Sequence, residues 1–141
     1  MKKLFYLASV AIVALVMGAC NGIAPSKPNL YVCVDDPSRG EELYYITYIP
    51  EGRDGHSGRN IFGDQKGTYN FKGKTYRMFS IPKGTWDIYM EWWANTGYAS
   101  INYNNERLTV NTKLNDWVRI EFYSDKDHTS CRAFQGSGEM Y

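Results

Sequence analysis

The sequence predicts an all-β domain, an antiparallel two-sheet sandwich of about eight strands that follows a cleaved leader. Three observations carry this. Helical periodicity is absent after residue 28. Short runs rich in Tyr, Val, Ile, Thr and Trp alternate apolar with polar residues, the pattern of strands buried on one face. Gly, Pro, Asn and Asp punctuate those runs. Two packed sheets bury the apolar faces that such strands present.

Residues 30–34 (LYVCV) form the first predicted strand, stopped by Asp35, Asp36 and Pro37. Residues 42–49 form a longer one, rich in Tyr, Ile and Thr and stopped by Pro50. The polar, glycine-rich stretch EGRDGHSGRN (51–60) opens a long loop that reaches Gly67. Residues 68–71 and 75–79 flank Lys72-Gly73-Lys74 and predict a hairpin. Pro82-Lys83-Gly84 is a turn, in which Pro fixes φ and Gly admits positive φ. Residues 85–92 form a strand, followed by the turn Asn95-Thr96-Gly97. Residues 98–103 and 107–110 predict a hairpin across Asn104-Asn105-Glu106, and residues 117–123 and 130–134 complete the set.

Alternation assigns faces. In 117–123, Val118, Ile120 and Phe122 point inward, and Trp117, Arg119, Glu121 and Tyr123 point outward. In 81–93, Trp86, Ile88, Met90 and Trp92 share one face, while Asp87, Tyr89, Glu91 and Trp93 share the other. Burying an unpaired carboxylate is costly. Asp87 and Glu91 are therefore expected in water, and the Trp86 face in the core.

The stretch YRMFSIPKGTWDIY (76–89) resembles a signature of small transthyretin-like and PEGA-type envelope domains: a strand, a Pro-x-Gly turn with an aromatic, then an alternating strand. Residues 105–110 (NERLTV) and 117–122 (WVRIEF) are similar to the closing hairpin of those domains. The resemblance covers about residues 68–123. It implies an Ig-like or transthyretin-like sandwich that serves as a binding, docking or spacer module.

The N-terminus, MKKLFYLASVAIVALVMGAC, has two lysines, an apolar run and small residues before a cysteine. That is the plan of a secretory signal peptide, and the run is shorter than the roughly 20 residues that span a bilayer. Val16-Met17-Gly18-Ala19-Cys20 resembles the lipobox of bacterial lipoproteins, with Met17 where Leu is usual. The resemblance implies cleavage before Cys20 and acylation of its thiol and amine. A single acyl chain holds a membrane reversibly, whereas several make the anchor lasting. The expected organisation is a signal peptide over 1–19, a lipidated tether over 20–28, and a β-sandwich domain over 29–141. No acidic cluster follows Cys20. By the same resemblance, the outer membrane facing the periplasm is favoured over the cell surface.

With Cys20 assigned to lipid, Cys33 and Cys131 remain. An even remainder in an oxidising compartment predicts one disulfide. Closing a loop of about 100 residues contributes roughly 4–5 kcal/mol in the chain-entropy model.

Sixteen basic residues balance fifteen acidic ones, so no strong field selects nucleic acid, and no nucleic-acid motif is present. No catalytic residue, metal site or cofactor is expected. Ser57 in Gly55-His56-Ser57-Gly58-Arg59 lacks the second glycine and the following helix of a nucleophile elbow, so a flexible loop is expected there. Asp125-Lys126-Asp127-His128 lacks the turn glycine and closing glutamate of a calcium loop. Adjacent Asp35 and Asp36 face apart and form no acid–base dyad. The candidate binding residues are the outward aromatics Tyr89, Trp93, Tyr98 and Trp117, together with Tyr123; flat rings of this kind stack on sugars. The expected function is that of a membrane-anchored envelope lipoprotein acting as a non-catalytic docking module for an envelope protein, favoured by free sheet edges and a tyrosine-rich face. The alternative is a glycan-binding lipoprotein, with an inhibitor, an immunity factor or a hydrolase behind it. Metabolic labelling with an alkyne fatty acid checks the anchor: Cys20→Ser is expected to abolish the label, and equal labelling of both forms contradicts it.

Overall fold

The computed structural model describes residues 22–33, 42–95, 101–124 and 129–140. Nine strands run through them: β1 (Leu30–Cys33), β2 (Glu42–Pro50), β3 (Arg59–Asn60), β4 (Thr68–Phe71), β5 (Lys74–Phe79), β6 (Thr85–Asn95), β7 (Ile101–Asn111), β8 (Trp117–Ser124) and β9 (Thr129–Gly136). They form a five-stranded sheet in the order β4-β5-β1-β8-β9 and a four-stranded sheet in the order β3-β2-β6-β7. The predicted two-sheet sandwich is what the chain forms. One pairing departs from antiparallel: β1 lies parallel to β8, with Leu30 opposite Val118 and Cys33 opposite Glu121.

The two sheets meet on the faces that alternation assigns to the core. Trp86, Ile88, Met90 and Trp92 of β6 are buried, as are Val118 and Ile120 of β8. Trp92 packs edge-on against Phe122 across the sandwich at 4.4 Å between ring centroids, and Tyr48 packs against Trp86 at 4.9 Å. The turn before β6 shows why glycine stands at position 84. A Cβ there would lie 3.0 Å from the Trp86 indole, whose Nε1 donates to the Pro82 carbonyl at 2.8 Å. The β4–β5 hairpin closes through Lys72 and Gly73, both at positive φ, as a primed two-residue turn requires.

Several expectations are corrected. Residues 101–111 are one continuous strand, not two strands that turn at 104–106, and pair with β6 from Asn95↔Ile101 to Thr85↔Asn111. β7 is an edge strand, so the polar Asn104-Asn105-Glu106 is accommodated there. Glu106 reaches the other sheet and accepts from the Cys131 backbone N–H at 2.8 Å. The sheet edges on this side are therefore not open. The long loop after β2 carries β3 and two 3-10 turns, Gly55–Ser57 and Phe62–Asp64. Asp87 is buried, not in water. Arg119 and Glu121 do point outward but are largely covered. The Arg119 guanidinium sits 5.0 and 4.7 Å from the Phe71 and Phe134 rings, and Tyr76 Oη donates to Glu121. Cys20, Val34, Asp35, Asp36, Pro37, Thr96, Gly97, Tyr98 and the sequence 125–128 lie outside the described residues.

Cys33 and Cys131 form no disulfide with each other. The topology gives the reason. β8 runs between β1 and β9, so the two cysteines stand two strand spacings apart, about 9–10 Å. A disulfide needs Cα atoms within about 7 Å. They also face opposite ways: Cys33 is registered with the outward Glu121 and Cys131 with the inward Phe122. Mass spectrometry of a soluble form beginning at Asn21, unfolded without reductant and treated with a maleimide, is expected to show both thiols labelled. A protein that takes up no label contradicts this topology.

Candidate functional site

The outer face of the four-stranded sheet carries the candidate site. Pairing registers place its rows: Glu42, Trp93 and Tyr103; Tyr45, Glu91 and Asn105; Thr47, Tyr89 and Arg107; Ile49, Asp87 and Thr109. Between Leu43 and Tyr45 the register shifts, because β2 holds a one-residue bulge. Without it, alternation would set Leu43 and Ile46 on opposite faces. The bulge lets both enter the core and turns Tyr44 and Tyr45 out together. Tyr44 meets Tyr103 edge-on at 6.3 Å, and Tyr45 meets Tyr89 at 6.0 Å. Tyr103 is 73% exposed and Tyr44 39%, while Tyr45, Tyr89 and Trp93 are half-buried. Five aromatic residues thus share one sheet face.

Tyr89 Oη donates to Glu91 Oε1 at 2.6 Å. That hydrogen bond, reinforced by burial and the nearby carboxylate charge, pushes the Tyr89 phenol up to about 12. The ring therefore stays neutral and fixed at any physiological pH.

The other end of the face is roofed by the loop after β2. Asp87 organises it. Its carboxylate accepts from Arg107 Nε at 2.9 Å and Nη2 at 2.7 Å, from Thr109 Oγ1 at 2.7 Å, and from the Gly52 N–H at 3.2 Å. Arg107 also donates to the Arg53 carbonyl. Gly58 presses its backbone onto the sheet; a Cβ there would lie 2.5 Å from Thr47 Cγ2. The 3-10 turn between is capped by Asp54, which accepts from the His56 N–H at 2.8 Å. Between this roof and the Tyr45–Tyr89 pair lies a hollow of about 550 Å³, lined also by Thr47, His56 and Arg107. The Thr47 hydroxyl is buried beneath it, without a hydrogen-bond partner among the described residues. The loop is thus pinned, where the glycine-rich sequence suggested flexibility.

Of the sequence-predicted aromatics, Tyr89 and Trp93 fall on this face. Trp117 does not: it lies on the outer face of the five-stranded sheet, so it shares no platform with Trp93. Tyr98 is outside the described residues, as is the side chain of Tyr123. Tyr44, Tyr45 and Tyr103 were missed. The signal for the first two is the spacing of Leu43 and Ile46, two apolar core residues three apart in a strand. His56 stands almost wholly exposed, with its own cap Asp54 as an ionic neighbour at 3.3 Å. No family model matches the chain, and comparison with curated proteins and with solved structures yields no match either.

Burial pushes the Asp87 carboxyl up, but its hydrogen bonds from Thr109, Arg107 and Gly52 outweigh this and hold it below the ordinary carboxylate range. A carboxyl depressed in the folded state stabilises the fold at pH above its unfolded value of about 3.9. That contribution disappears as pH falls through the folded value. Asp87→Ala is expected to cost about 2–4 kcal/mol in denaturant unfolding at pH 7, the partly exposed Arg107 keeping the figure below that of a fully buried pair. It should also flatten the loss of stability below about pH 4. An unchanged midpoint and acid limb would contradict the role given to Asp87.

Proposed function

We propose that the chain is a membrane-anchored envelope lipoprotein that acts as a non-catalytic docking module, holding a partner protein on the outer face of its four-stranded sheet. The observation that carries this reading is the aromatic row formed by Tyr44, Tyr45, Tyr89, Trp93 and Tyr103. Tyrosine and tryptophan supply large contact area at low entropic cost and keep a polar tip for hydrogen bonds. The hollow beside them offers a socket for a protruding side chain, with Arg107 and His56 in its lining. Near-neutral overall charge fits recognition by shape and aromatic contact rather than by electrostatic steering.

The anchor part of the reading rests on the N-terminal charge, apolar run and Val16–Cys20 motif. A tethered module needs only modest affinity, because the membrane raises its effective concentration near other envelope proteins. Affinity capture from solubilised envelope tests the docking. The wild-type chain is expected to retain a specific protein that a double variant, Tyr44→Ser with Tyr103→Ser, loses by about tenfold or more, since exposed aromatic anchors dominate such contacts. Both residues are on the surface, so the melting temperature should hold. Equal retention by the variant sinks the proposal for this face.

A further inference from the structure

A second site, independent of the docking face and of the lipid anchor, lies at the end of the sandwich where the tether enters. There a cleft of about 710 Å³ opens between the tether, the β5–β6 turn, the β7–β8 turn and the C-terminal segment. Its lining includes three aromatic residues, Tyr31, Tyr69 and Trp117, and three lysines, Lys27, Lys83 and Lys113. Tyr31 and Tyr69 meet edge-on at 5.6 Å. Gly136 lies opposite Trp117 in the pairing of β8 with β9, and a Cβ on it would lie 2.4 Å from the indole. Glycine at that position is what lets the ring lie across the neighbouring strand.

The lysines come from three different segments, and each segment is held in place by the fold. Asn29, which follows Lys27 and Pro28, is buried and exchanges hydrogen bonds with the Ile81 carbonyl (2.8 Å) and N–H (2.9 Å). The turn carrying Lys83 is tied to Thr112, whose N–H donates to the Gly84 carbonyl at 2.9 Å and whose Oγ1 donates to the Pro82 carbonyl at 2.7 Å. The turn carrying Lys113 is closed by Asn111, whose side-chain oxygen accepts from the Lys113 and Leu114 N–H groups. Among the described residues, none of the three ammonium groups is in an ion pair. Two carboxylates also line the cleft. Asp116 is engaged by the Gly138 N–H at 2.7 Å, and the Asn115 amide nitrogen donates to the Asn111 carbonyl at 2.8 Å, so Glu139 is the further polar group of the lining.

From this geometry we infer that the cleft binds an anionic sugar, a pyranose bearing phosphate or carboxylate. The apolar face of the ring lies along the aromatic wall, and the lysines take the charged group. Aromatic side chains without charge would suit a neutral saccharide, and lysines without aromatics a bare anion. Their combination on pinned segments selects a ligand that carries both features.

Titration calorimetry on the full chain in a non-ionic detergent separates these cases. The probes are a glucuronic acid trisaccharide, glucose 6-phosphate, maltotriose and inorganic phosphate. At least one charged sugar is expected to bind about tenfold or more tightly than maltotriose and phosphate, and which one does so identifies the charged group. The double variant Lys83→Ser with Lys113→Ser, both exposed, is expected to weaken that binding about tenfold with an unchanged circular dichroism spectrum. Trp117→Ala should weaken it as well. The proposal is overturned if neither charged sugar binds, if maltotriose or phosphate binds equally well, or if the lysine variant binds like the wild type.

Discussion

The buried carboxylate of Asp87 commits β6 to one register, and the rest of the molecule follows from it. Asp87 lies on the outer face of the four-stranded sheet, where partners from β7 and from the loop after β2 meet it. A slip of one residue would turn Trp86, Ile88, Met90 and Trp92 out of the core and send Asp87 and Glu91 into it. The apolar alternation and the carboxylate cluster therefore favour the same register, each from its own face. This agreement fixes the core, the row of tyrosines and the roof over the hollow together.

The same economy appears at the sheet edges. β7 and β9 are the exposed edges on one side of the sandwich, and each sends a side chain to the other's backbone. Glu106 accepts from the Cys131 N–H, and Gln135 accepts from the Asn111 N–H at 2.6 Å. On the other side of the four-stranded sheet the edge is β3, only two residues long. Capped and shortened edges resist unwanted strand pairing. On the β7 and β9 side, recognition is thereby left to the faces. The outer face of the five-stranded sheet is filled by its own cluster: Arg119 sits among Phe71, Trp117 and Phe134, and Glu121 between Tyr76 and Lys74. The tyrosine face of the smaller sheet remains open for contact.

Alternation made β6 and β8 legible in the sequence, because each has one apolar row and one polar row. The turn chemistry at Lys72-Gly73 was legible for the same local reason, whereas Gly84 is demanded by the nearby Trp86 indole and not by the positive φ expected of it. What failed was non-local. The burial of Asp87 depends on Arg107, Thr109 and Gly52, which lie 20, 22 and 35 positions away. The disulfide expected from cysteine parity ignored strand order, which places β8 between the two thiols. The polar triplet 104–106 looked like a turn because an edge strand tolerates the same residues as a turn. Two of the five aromatics of the candidate site were visible, since Tyr89 and Trp93 follow from alternation. Tyr44 and Tyr45 required the bulge implied by Leu43 and Ile46. Tyr103 required knowing that β7 runs unbroken beside β6.

The central claim is that this tyrosine face meets a partner protein in the envelope. Photo-crosslinking in living cells, with p-benzoylphenylalanine placed singly at Tyr44, Tyr103 and Arg132, tests it most directly. Arg132 is exposed on the outer face of the opposite sheet. The account predicts one common protein adduct from positions 44 and 103 and none from 132. An adduct from position 132 alone, or from none of the three, would contradict it.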